Sequence, residues 1–101
     1  PKAGESLVTG KYPCYGLYAV EAGTFALGAL EEKFWAKFCE TIEEPALISL
    51  QFVTGNKCLE VRKIVEKQLQ MHSFEEWKTI FSKVDCCIEP VLSVQEVISN
   101  Q

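Results

Sequence analysis

Three side chains that carry much of enzyme chemistry are almost missing from this chain. His72 is the only histidine, Asp85 the only aspartate and Arg62 the only arginine among 101 residues. A lone imidazole cannot build a multi-histidine metal centre, and no metal is expected. A Ser-His-Asp arrangement would have to use His72 with Asp85 or a glutamate, and no Gly-x-Ser-x-Gly elbow is present. The five cysteines, Cys14, Cys39, Cys58, Cys86 and Cys87, contain no Cys-x-x-Cys spacing, which removes zinc ribbons and thioredoxin-type redox sites. Nothing approaches the roughly 18 apolar residues of a membrane span, and no secretory signal is visible, so no membrane partner is expected. Ten basic residues face fourteen acidic ones for a net charge of −4. Nucleic acid needs a basic face and is therefore excluded as a partner.

What is present is a globular composition, 48% hydrophobic and 24% charged, with six Phe, two Trp and three Tyr for a core. The length suits one domain. An odd, scattered cysteine set reads as free thiols in a reducing compartment, hence a cytoplasmic location. Cys86 and Cys87 sit in a short apolar stretch and are expected to pack as small hydrophobes. The chain opens Pro1-Lys2-Ala3-Gly4-Glu5-Ser6 without an initiator methionine, which points to a piece of a longer product.

Residues 1–13 hold Gly4, Gly10 and Pro13 among polar residues and read as a linker. Cys14–Val20 and Thr24–Ala29 read as strands of a hairpin, with Gly23 supplying a positive φ in the turn. Tyr15 and Tyr18 are expected to leave their hydroxyls at the sheet edge. Phe34, Trp35, Phe38, Cys39 and Ile42 recur at helical spacing over 32–42, and Pro45 closes that segment. Residues 46–56 are less regular, with Gly55-Asn56 as a break. Cys58, Val61, Ile64, Val65 and Leu69 mark a second helix over 57–70. Ser73 and Glu76 form a capping box for a helix that buries Phe74, Trp77, Ile80, Phe81 and Val84. A strand over 85–88 ends at Glu89-Pro90, and Ser93 with Glu96 caps a short last helix. The sum is an α+β domain over 14–101: a small, mostly antiparallel sheet of a hairpin plus one short strand, packed with three to four helices.

One candidate site stands out. Glu31 lies where a strand gives way to a helix, after the small pair Gly28-Ala29 that allows close approach. Equally, Glu31 and Glu32 suit the positive end of a helix dipole. On the residues alone both readings stand. His72, just ahead of a capping serine, reads as a solvated junction residue.

The run Gly28-Ala29-Leu30-Glu31-Glu32-Lys33-Phe34-Trp35 resembles the family III CoA-transferases (the CaiB/BaiF family), most closely their α-methylacyl-CoA racemase branch. Tyr12-Pro13-Cys14-Tyr15, Ser73-Phe74-Glu75-Glu76-Trp77 and Asp85-Cys86-Cys87-Ile88-Glu89-Pro90-Val91-Leu92-Ser93 resemble further stretches of that family, in the same order. The resemblance covers nearly the whole chain but only the small domain of much longer proteins. It implies a large Rossmann-like domain elsewhere, with residues 1–13 as the link to it, and a homodimer of two interlocked chains. The substrate is implied to be an acyl-CoA thioester, and the chain itself is expected to hold no cofactor. Glu31 falls on the motif glutamate, which is implied to orient a histidine of the large domain. Where the family pattern has proline next, this chain has Glu32. Three readings follow: the small domain of an acyl-CoA racemase, inactive alone; the same domain of a CoA-transferase whose large-domain aspartate forms an acyl anhydride; and a free-standing, non-catalytic binding module. Exposed apolar surface is expected to make the isolated chain self-associate.

Overall fold

The computed structural model describes residues 11–91. Strand β1 (Tyr15–Val20) and strand β2 (Gly23–Gly28) form the expected hairpin, in a register that sets Tyr15 opposite Gly28 and Val20 opposite Gly23. Alternation sorts the side chains: Tyr18, Val20, Phe25 and Leu27 are buried, while Tyr15 and Ala19 face out. Strand β3 (Ile88–Val91) pairs antiparallel with β2 and completes a three-stranded sheet in the order β1-β2-β3. Helix α1 spans Glu32–Thr41, a 3-10 helix Pro45–Leu50, helix α2 Gly55–Leu69 and helix α3 Phe74–Phe81. The α+β architecture read from the sequence is the one observed.

An aromatic core joins these elements. The Phe25 ring of β2 lies 4.9 Å from Phe74 and 5.3 Å from Phe81 on α3. Phe38 of α1 stacks 5.6 Å from Trp35 and 5.9 Å from Phe81, which stacks 5.0 Å from Trp77. Offset and tilted contacts of this kind add about 0.5–1.5 kcal/mol per pair beyond area burial. Polar ends of core side chains tie neighbouring elements to one another. Trp35 Nε1 donates to Leu47 O at 2.9 Å, Gln68 Nε2 to Ile42 O at 2.8 Å and Trp77 Nε1 to Leu69 O at 2.8 Å.

Six local expectations are corrected. The third strand is Ile88–Val91 and runs through Pro90, which faces Phe25. Among the described residues β3 is a sheet edge, where a residue without N–H is tolerated and also discourages a further strand. The positive φ of the hairpin turn falls on Ala22, at 69°, and not on Gly23. The Tyr18 hydroxyl is not at an edge: the ring is fully buried and the hydroxyl donates to Pro13 O at 2.6 Å. On α2, Ile64 is exposed and Arg62 is buried, and the helix begins at Gly55, whose φ of 61° side chains adopt only rarely. Of the vicinal cysteines, Cys86 is buried but Cys87 is exposed, with φ of 58°. The second capping box, at Ser93 and Glu96, lies outside the described residues, as does most of the 1–13 linker. Pro13 is buried, and Tyr12 packs edge-on against Phe52 with ring centroids 5.3 Å apart.

Candidate functional site

Where β2 hands over to α1, the chain leaves the interior within one residue. Ala29 is fully buried, Leu30 is 53% exposed and Glu31 is exposed. Most backbone groups of this junction have a partner. Gly28 N donates to Cys87 O at 2.9 Å, and Ala29 N donates to Cys14 O at 2.9 Å. Gln51 Nε2 donates to Ala29 O at 3.0 Å and to Leu30 O at 3.2 Å. Glu31 is the N-cap of α1, in extended conformation, and its carbonyl accepts from Phe34 N and Trp35 N. Its side chain makes no capping hydrogen bond. A short N-cap side chain such as Asp or Ser turns back onto the helix N–H groups, whereas this longer glutamate does not. This one is left to solvent on a backbone fixed at both ends.

The geometry brings together three stretches far apart in sequence. Cys14 follows Tyr12-Pro13, Cys87 precedes β3, and both reach the Gly28–Glu31 junction through backbone hydrogen bonds. A groove of about 460 Å³ runs along the outward sheet face next to it, lined by Tyr15, Leu17, Ala26, Gly28, Cys87 and Glu89 among others. Glu32 follows Glu31 into the first turn of α1 and is exposed. His72 is not part of this assembly. Its ring stands edge-on to Trp77, with centroids 4.9 Å apart, and its Nδ1 lies 3.5 Å from Glu76 Oε1 at the start of α3. Gln51 is the residue that sequence reasoning missed. A lone glutamine in an irregular stretch carries no pattern, because its task is to meet carbonyls more than twenty residues away.

The buried thiols are chemically quiet. Burial pushes Cys39 and Cys86 up to about 12, and it raises Cys14 and Cys58 as well. All five cysteines are free. Among the described residues, no three of His, Cys, Asp and Glu gather into a set that could hold a metal ion. No helix among them is long and apolar enough to cross a membrane.

Compared with known proteins, residues 1–101 match CoA-transferase family III throughout. The chain belongs to that family. It is 29% identical to the mouse alpha-methylacyl-CoA racemase over 104 residues, covering 97% of this chain and 26% of that protein. It is also 29% identical to a CaiB/baiF CoA-transferase family protein of Caenorhabditis elegans over 93 residues, covering 91% of this chain and 26% of the relative. The chain thus spans about a quarter of the length of the curated relatives it matches.

Proposed function

We propose that this chain is the small domain of an acyl-CoA racemase that moves the proton on the carbon next to the thioester. The observation that carries the reading is the Glu31 carboxylate, exposed and uncapped on a junction tied by backbone hydrogen bonds to Cys14 and Cys87 and by the side chain of Gln51. Racemisation needs one group to remove the proton, another to return it on the opposite face, and a means of stabilising the enolate between them. His72 is engaged at the start of α3, so the proton-transfer groups come from outside this chain and the chain alone has no turnover. Glu31 acts through a histidine of the large domain. A carboxylate against an imidazole fixes its tautomer and raises its basicity. The enzyme works as a homodimer in the cytoplasm, with an acyl-CoA thioester as substrate. The similarity to the mouse racemase supports this reading.

The test is Glu31→Gln in the complete gene product, with exchange of the α-proton for deuterium as the readout. The kcat is expected to fall at least tenfold, and the acid limb of the rate profile to move to lower pH, because the imidazole loses its carboxylate. An unchanged rate and limb would refute the role. A CoA-transferase is the second reading, favoured by the equal identity to the Caenorhabditis elegans protein. Transfer of CoA to a free acid in a coupled assay, without α-proton exchange, would establish it.

A further inference from the structure

No hydrogen bond caps the Glu31 carboxylate onto its helix, so the backbone fixes only where the side chain starts, the direction of its Cα–Cβ bond. That direction depends on the peptide plane shared by the Leu30 carbonyl and the Glu31 N–H, since a peptide moves as one rigid unit. The plane lies beyond the last ladder pair of β2 and ahead of the first turn of α1. The carboxamide of Gln51 grips this plane at Leu30 O and the one before it at Ala29 O.

Gln51 is itself well held. Only 7% of it is exposed, and it closes the 3-10 helix Pro45–Leu50. That helix is fastened by the hydrogen bond from Trp35 Nε1 to Leu47 O. Trp35 is the residue whose N–H caps back onto the Glu31 carbonyl. The contacts therefore close a ring: Glu31 opens α1, α1 carries Trp35, Trp35 holds Leu47, and the turn after Leu47 delivers Gln51 to the two carbonyls in front of Glu31. We infer that Gln51 is a positioning residue, which fixes the point and direction from which the Glu31 side chain leaves the backbone by clamping the peptide ahead of it. This rests on the reading of Glu31 given above.

The experiment uses the complete gene product. Gln51→Met keeps length and bulk but deletes both donors. It is expected to lower kcat about tenfold with KM changed less than twofold, and to shift the acid limb in the same direction as Glu31→Gln. The variant carrying both changes is expected to be no slower than Glu31→Gln alone, because Gln51 then has nothing left to aim. Losses that multiply would overturn the inference and make Gln51 a purely structural residue. An unaltered rate and pH limb in Gln51→Met, with Glu31→Gln impaired, would overturn it too. If Glu31→Gln itself has no effect, the reading of Glu31 falls and the clamp with it. Should Gln51→Met not fold, Gln51→Glu provides the same shape with a donor only when protonated. Its rate relative to the parent protein is expected to rise as pH falls, and a flat ratio would refute the clamp.

Discussion

Gly23 leaves room that the ring of Phe74 fills: a Cβ on Gly23 would collide with Phe74 Cδ1. The glycine is therefore required by packing between β2 and α3, although its φ is not in the left-handed region. Gly23→Ala is expected to destabilise the domain by about 1–3 kcal/mol, as overpacking does, and to lower Tm by several degrees. Thermal melting of Gly23→Ala, Phe74→Ala and the pair checks it. The two losses should be less than additive, because removing the ring makes room for the methyl group.

The capping box of α3 makes this helix sensitive to acid. Ser73 Oγ accepts from Glu76 N at 3.1 Å, and Ser73 N donates to Glu76 Oε1 at 2.8 Å. The Ser73 N–H, with His72 as a lesser partner, holds the Glu76 carboxyl below its ordinary value of 4.5. A carboxyl with a lowered folded value contributes stability above its unfolded value and loses it as pH falls through the folded one. The protection of first-turn amides of α3 against exchange, taken relative to their intrinsic rates, should accordingly fall below about pH 4.5, and Glu76→Gln should flatten that dependence. Ser73→Ala is expected to cost about 1 kcal/mol at neutral pH.

The cysteines should separate cleanly in reactivity. The thiolate is the nucleophile, and burial keeps Cys39 and Cys86 as thiols far above neutral pH. Cys87 is the exposed one. Mass spectrometry after brief alkylation of the folded protein at pH 8 should find the label on Cys87. Equal labelling of Cys39 or Cys86 without denaturant would contradict their burial.

Much of this fold could be read directly from residue spacing. The stripe of Trp35, Phe38, Cys39 and Ile42 and the pair Ser73 and Glu76 are local signals, and the helices they mark stand where they were expected. β3 was displaced because Pro90 ordinarily ends a strand, and only its place at the sheet edge removes that objection. The burial of Tyr18 was hidden because it depends on the Pro13 carbonyl and on Arg62 arriving from α2. At the junction, the place of Glu31 between strand and helix was legible in the sequence. Gln51 could not be, because side-chain bonds to distant backbone follow from the finished fold and leave no period in the chain.

Arg62 is where the sparse inventory of the sequence has its last effect. Its guanidinium lies 4.1 Å from the centre of the Tyr18 ring and donates to Leu17 O and Tyr12 O, binding α2 to the approach of β1. The only forked, planar cation in the chain thus serves as mortar between a helix and a strand. An anionic ligand arriving at this surface meets lysine ammonium groups and backbone N–H groups. The fork that would grip a phosphate at two points is thereby committed to the fold.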